Sequence, residues 1–299
     1  MNEGLIVMKC LIVMQGETYE DERKRSVLEA PTLDRAGAKY FSWEKMKDLR
    51  QGDVVFHYVK GWIQAVSVVT KETEVVESMT VPMYRAEVAY TDLDRPLLIS
   101  QIFDELEPLL PEKYSPFQKD GSGNGGYLFP IHTELALRLI HHLLQDVQDL
   151  LIQPTLLEET SNLTVSLLAH LTAWKQQLEY QNEAFLKERR VQMIEHQKQC
   201  AVCHLSYDAL LRAPFLKMPE KGTEVERTSE YNGIVLCHNH SDLFEKGLIT
   251  VDRKGQLLVS EKIMDYQFAL ELYEGQSIAI QKQQKKYLQW HATHIFKNK

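Results

Sequence analysis

Cys200-Ala-Val-Cys203 and Cys237-His-Asn-His240 are the stretches that decide the fold of the C-terminal third. Thiolates and imidazoles are the donors that Zn²⁺ prefers, and four of them complete the tetrahedral shell of a structural site. A two-residue spacer lets both ligands of a pair sit on one tight knuckle and reach the same ion. The chain has 4 cysteines, and only Cys10 lies outside this set. Two unrelated pairs would leave that coincidence unexplained. Cys10 falls in an apolar run and reads as a small core residue. If Cys200, Cys203, Cys237 and His240 all bind, the ion keeps no open position for substrate and serves to hold the fold.

The rest of the chain sets the bounds. Its 299 residues are enough for two domains, and a hydrophobic content of 44% allows each a core. No run of apolar residues is long enough to span a membrane. The opening MNEGLIVMKCLIVMQG lacks a basic leader, is interrupted by Lys9 and has no small-residue cleavage site; it reads as a buried strand of a cytoplasmic protein. There Cys-x-x-Cys points to metal or redox chemistry rather than to a disulfide. The net charge of -8 excludes a broadly basic coat for nucleic acid and leaves room for a local patch. Such a patch lies in Lys282, Lys285, Lys286, Lys297 and Lys299, which have no acid among them. It reads equally as a phosphate-contacting tail or as a solvated helix face.

The pattern along the chain predicts an α+β protein in three parts. Residues 1–131 are β-rich, with strands expected at 5–14, 54–58, 63–69 and 84–90, short helices at 42–49 and 98–105, and a loop at Lys119-Asp-Gly-Ser-Gly-Asn-Gly-Gly126. Residues 132–199 show helical spacing over 132–153 and 166–199, with a break around Pro154 and Ser161-Asn162. They read as a helical connector, either solvated or pairing with a second copy to make a homodimer. Residues 200–299 carry the metal ligands, a helix near 242–246 and a hairpin over 248–258, turned at Asp252-Arg-Lys-Gly255.

The run Asn232-Gly-Ile-Val-Leu-Cys-His-Asn-His-Ser-Asp-Leu-Phe-Glu-Lys-Gly-Leu-Ile249 resembles the second half of the HNH endonuclease motif. The hairpin after it and the ending Tyr287-Leu-Gln-Trp-His291 fit the same family, so the resemblance covers residues 200–299. It implies a treble-clef, ββα-metal domain. An HNH nuclease needs a general base to deprotonate water and a divalent ion, Mg²⁺ or Mn²⁺, to stabilise the leaving oxygen. In the zinc-bearing branch the resemblance places the base, a histidine, at the position of Phe215, which takes no proton. Ser241 stands where the family often has Asp or His. Asn232 is kept, in a role that positions the base or orders the loop, and is vestigial without one. His238 falls at the wrong loop position for the base. Glu220, Glu224 and Asp242 are the acids near enough in sequence to recruit a metal instead.

Residues 12–69, with Leu110-Pro-Glu-Lys-Tyr-Ser-Pro-Phe117 and Tyr127, resemble the EVE domain of EVE–HNH proteins. The resemblance implies a PUA-like β-barrel related to the YTH readers, in a restriction and antiviral-defence family that reads modified cytosine in double-stranded DNA. A flipped base is held by aromatic stacking and by hydrogen bonds to its edge. The candidates for that role are Trp43, Tyr58, Trp62 and Tyr19, with Tyr114 and Tyr127 further out and Asp53 on the base edge; each aromatic also reads as core. Glu29 stands where the family often carries tryptophan, and its carboxylate suits an amino donor such as cytosine N4. Three functions follow: a modified-DNA-binding protein with a degenerate nuclease half, an active modification-dependent endonuclease, or a scaffold that keeps both folds for protein interaction.

Overall fold

Leu11 and Val13 of β1 (Cys10–Met14) point to one side of a sheet and Cys10 and Ile12 to the other, and all four are buried. An apolar run buried on both faces belongs at the centre of a covered sheet. In the computed structural model, which describes residues 7–78, 81–152 and 162–298, β1 does lie inside. The break expected around Pro154 and Ser161 falls outside the described residues, as do residues 5 and 6 of the expected first strand.

After β1 come α1 (Tyr19–Arg25), β2 (Val27–Pro31), α2 (Phe41–Glu44), β3 (Val54–Val59), β4 (Trp62–Val76) and β5 (Met83–Leu98). Next are α3 (Ile99–Leu106), β6 (Leu128–Ile131), α4 (Thr133–Ile152) and α5 (Asn162–Gln197). The strands form one six-stranded sheet in the order β2-β5-β4-β3-β1-β6. β1 and β3 are parallel and every other pairing is antiparallel. Register shifts at His57/Tyr58 and along the β4–β5 pair add residues to one strand and increase the local twist.

The two faces of the sheet carry separate cores. Ile12, Val54, Phe56 and Ile63 pack with Ile102 and Phe103 of α3, Leu139 and Leu143 of α4 and Leu171 and Leu178 of α5. Leu11, Val13, Leu28, Val55, Ala86 and Tyr127 pack on the other side, with Met46 and Leu49 from the turn after α2. Each fully buried side chain of this size contributes about 1.5–3 kcal/mol over leaving it exposed. Leu139, Leu143, Leu171 and Leu178 of the helical stretch are therefore used within the chain, while Tyr180, Leu186 and Val191 of α5 stay exposed.

Contact density divides the chain into two units, Met1–Asn182 and Glu183–Lys299. The second contains β7 (Leu211–Arg212), α6 (Glu224–Thr228), β8 (Leu236–Cys237), α7 (His238–Glu245), β9 (Ile249–Val251), β10 (Leu257–Val259) and α8 (Lys285–His294). β7 pairs with β8, and β9 with β10, both antiparallel. The β9–β10 turn is fixed by Asp252, whose Oδ1 accepts from the backbone N–H of Lys254 and Gln256, and by Gly255 at φ 86°. The core holds Met193, Leu211, Leu236, Phe244, Ile249, Leu257 and Leu288. Among the described residues no helix is long and apolar enough to cross a membrane.

Candidate metal centre and base-recognition face

Cys200 and Cys203 sit on a knuckle just after α5. It is closed by Cys200 N–H donating to Leu205 O (2.8 Å) and His204 N–H to Cys200 O (3.0 Å). Cys237 ends β8 and His240 lies in the first turn of α7, so one strand-to-helix corner supplies the second pair. The four donor atoms all lie within 4.8 Å of one another. Cys203 Sγ and Cys237 Sγ are 3.8 Å apart, and His240 Nδ1 is 3.4 Å from Cys200 Sγ and 3.2 Å from Cys237 Sγ. With metal–sulfur bonds of about 2.3 Å, a tetrahedron has sulfur–sulfur edges of roughly 3.8 Å. His240 Nε2 is 2.7 Å from Leu270 O; that carbonyl needs a donor, which leaves the Nδ1 lone pair facing the sulfurs.

The electrostatics of the donor set point the same way. Burial raises thiol pKa values, yet hydrogen bonds from backbone amides, and from His240 when its Nδ1 is also protonated, hold Cys200 at about 6. Burial together with the Cys200 charge pushes Cys203 up to about 12 and Cys237 above its ordinary value. One thiolate forms at the expense of its neighbours. A divalent cation removes that conflict, so these residues fit a bound metal ion.

In the same unit, Phe215 forms an isolated β-bridge with Gly233. The Arg189 guanidinium lies 3.7 Å from the Phe215 ring centroid and donates to Ala213 O (2.5 Å) and Asn232 O (2.8 Å). A Cβ at Gly233 would push the ends of the Arg189 and Met193 side chains aside. Arg189 is buried, which lowers its pKa to about 10. Asn232 is fully buried: Oδ1 accepts from Lys217 N–H (2.7 Å), and Nδ2 donates to Lys217 O (2.9 Å) and Glu226 O (3.1 Å).

Ser241 is buried and His238 is exposed. Asp242 pairs with Lys246 at 3.1 Å, and that contact lowers its pKa. Glu220 Oε2 is buried without a hydrogen-bond partner, and the Glu224 side chain lies outside the described residues. His291 is buried against Phe244, with ring centroids 3.7 Å apart, and its nitrogens meet Thr250 Oγ1 and Phe244 O.

In the first unit the candidate residues separate. Trp43 and Tyr127 belong to one core of the sheet, whereas Glu29 stands between the core residues Leu28 and Ala30 and turns to the other face. Tyr19 packs near His57 and Tyr90, Trp43 packs on the core that contains Tyr127, and Glu29 N–H donates to Tyr127 Oη (2.8 Å). The Glu29 carboxylate already binds Arg85 (2.5 Å) and Arg25 (2.9 Å). Tyr58 points to the opposite core, beside Phe117, and its hydroxyl accepts from Gly123 N–H (2.9 Å). Trp62 opens β4 and borders an open cleft of ≈ 580 Å³ with Arg95, Gln101, His142 and Asp146. Asp53 is a turn residue: its two oxygens accept from the backbone N–H of Lys9 (2.9 Å) and Arg50 (2.8 Å).

A buried polar chain lies between Tyr19 and Tyr127 and was not evident from the sequence. Gln15 Nε2 donates to Glu22 Oε2 (2.6 Å), and Tyr127 Oη donates to the same oxygen. Gln15 Oε1 is then left to accept from His57 Nδ1 (2.7 Å), and His57 Nε2 accepts a hydrogen bond from the Ser67 hydroxyl (2.7 Å). Burial raises the Glu22 carboxyl against the hydrogen bonds that favour its anion, and lowers His57 to about 3. The chain thus fixes the Tyr127 hydroxyl and, through it, the Glu29 backbone.

No protein-family model matches this chain, and no curated protein matches it. Among solved structures it is similar to protein Atu2648 from Agrobacterium tumefaciens, at 11% identity over 45% of this chain and 92% of that one, with a TM-score of 0.33. Rpa0253 from Rhodopseudomonas palustris is 13% identical over 46% and 92%, with a TM-score of 0.32. The Pho92 YTH domain, solved in complex with m6A, is 10% identical over 46% and 87%, with a TM-score of 0.31.

Proposed function

We propose that the chain is a DNA-binding protein of EVE–HNH type, which reads modified cytosine with its first unit and does not cut with its second. In this reading the six-stranded sheet is a PUA-like barrel, and the second unit is an HNH-type fold held by structural Zn²⁺ on Cys200, Cys203, Cys237 and His240. The observation that carries it is the Arg189–Phe215 stack. The position that the HNH resemblance assigns to the general base holds a ring covered by a guanidinium. The polar groups of Asn232 are likewise spent on the loop. A hydrolytic site needs a base within reach of water, and the Phe215 ring supplies none.

The base-reading half is supported by the resemblance of residues 12–69 and 110–127, and by the presence of Trp43 and Tyr127 together on one face of the sheet. Trp43 supplies a stacking surface. The test is fluorescence anisotropy with duplexes carrying cytosine, methylcytosine, hydroxymethylcytosine or glucosylated hydroxymethylcytosine at one position. One modified duplex is expected to bind at least about tenfold more tightly than its plain counterpart, with Trp43→Ala removing the difference. Equal binding of all four duplexes would overturn the base-reading half.

A further inference from the structure

Phe41 and Tyr114 stack face to face on the surface of the first unit, with ring centroids 4.0 Å apart and planes inclined by 18°. Both rings remain open to solvent, at 38% and 57% exposure, and Tyr40 beside them is 45% exposed. Two aromatic side chains driven only by burial would turn inward. These are held outward at a conformational cost, for Tyr114 has φ 59°, in the left-handed region that bulky side chains avoid. The other non-glycine residues at positive φ are Ser26, Lys60, Lys198, His204 and Glu271, so Tyr114 is the only tyrosine, phenylalanine or tryptophan so placed among the described residues.

The loop around Tyr114 enforces this. Asn124 Nδ2 donates to Ser115 O (2.8 Å) and Phe117 O (3.1 Å), and Asn124 N–H to Pro116 O (2.8 Å), while the Phe117 ring is buried. Strain that is over-determined by its surroundings and ends in an exposed ring points to function. Phe41 is anchored equally well. Its neighbour Ser42 is buried and accepts from Tyr127 N–H (2.9 Å), and Tyr40 packs on Trp43 with centroids 5.3 Å apart. Lys45 Nζ lies 5.4 Å from the Phe41 centroid. Lys39 and Lys113 are exposed, each next in sequence to one of these aromatics.

We infer that Phe41 and Tyr114 form a stacking platform for an unpaired nucleotide base, with the neighbouring lysines facing its phosphates. Aromatic rings presented flat beside cations are the means by which single strands are held without sequence preference. The inference rests on the proposed function only in that the first unit touches nucleic acid. Extrusion of one base leaves its neighbours unstacked, and a platform attached to the Ser42–Trp43 turn would restack one of them.

The test uses the full-length, metal-loaded protein and a labelled, unmodified dT12 single strand at low salt, compared with the modified duplexes. Tyr114→Gly removes the ring at a backbone position that suits glycine. It is expected to weaken dT12 binding about tenfold or more while the melting temperature holds or rises. Phe41→Leu should weaken dT12 binding comparably, and Tyr114→Phe should bind as the parent does. Unchanged dT12 binding in Tyr114→Gly and Phe41→Leu would overturn the platform, as would a parent protein that fails to bind dT12. Discrimination between modified and plain duplexes reports separately on base reading: its loss with dT12 binding intact would overturn that reading and leave the platform standing.

Discussion

The two units place their chemistry in opposite ways. In the second unit, four ligands on two short knuckles meet at one point, and each pair spans only four positions of sequence. In the first, Gln15, Glu22, His57, Ser67, Tyr90 and Tyr127 reach one buried chain from the end of β1, α1, β3, β4, β5 and the approach to β6. A metal site is specified by local spacing and donor chemistry. A polar network inside a sheet is specified by strand order and register. The first kind announces the scaffold and is silent about activity; the second lies close to the proposed recognition and stays hidden until the strands are paired.

The sharpest way to break this comparison is to remove the ion. Structural zinc in small domains is worth about 10–16 kcal/mol of folding free energy. Chelation, or Cys237→Ser, is therefore expected to abolish the cooperative melting of the second unit while the first melts as before. Release of one zinc per chain into a colorimetric indicator checks the premise. A melt insensitive to chelator would show that the four donors do not staple the fold.

Arg189 comes next. Its guanidinium is the buried partner of two backbone carbonyls and one ring. Hydrogen bonds from a charged group carry about 1.5–3 kcal/mol each, so Arg189→Ala should destabilise the second unit by about 3 kcal/mol or more in urea melts. Arg189→Lys should rescue little of this, since an ammonium lacks the planar fork. A loss below about 1 kcal/mol would mean that the stack is not a structural element.

The smallest expected effect concerns the first unit and pH. The pKa of His57 falls from 6.5 to about 3 on burial, so between those values the unfolded chain binds a proton that the fold excludes. Stability therefore falls as pH drops below 6.5, by up to about 1.4 kcal/mol per unit. Glu22 acts in the opposite sense: its pKa is raised, so its contribution is present below 4.5 and is lost as pH rises through its folded value. His57→Gln should flatten the acid limb of a melting-temperature profile. An unchanged slope would contradict the buried, neutral imidazole.

What the sequence revealed follows the same division. Cys200, Cys203, Cys237 and His240 could be read directly because their spacing is local and their side chains have few other uses. The β3, β4 and α4 segments were visible from their apolar runs. β2 and β6 were not, since each is short and contains a proline, Pro31 or Pro130; they are the two edges of the sheet, where a missing N–H is tolerated. α1 was hidden because Tyr-Glu-Asp-Glu-Arg-Lys-Arg shows no apolar periodicity: its inward residues are Tyr19 and Glu22. A buried glutamate looks like a surface charge until its partners arrive from other strands. Arg189 escaped notice for the same reason, as one cation among many on a charged helix.

The central claim is recognition without cleavage, and one incubation tests it most directly. Zinc-loaded protein is mixed with plasmids carrying plain or modified cytosine in Mg²⁺ or Mn²⁺, and binding and strand integrity are scored in the same samples. The account predicts a retarded, fully supercoiled plasmid for one modification. Metal-dependent nicking or linearisation by the unaltered protein, absent when the second unit is deprived of zinc, would contradict it.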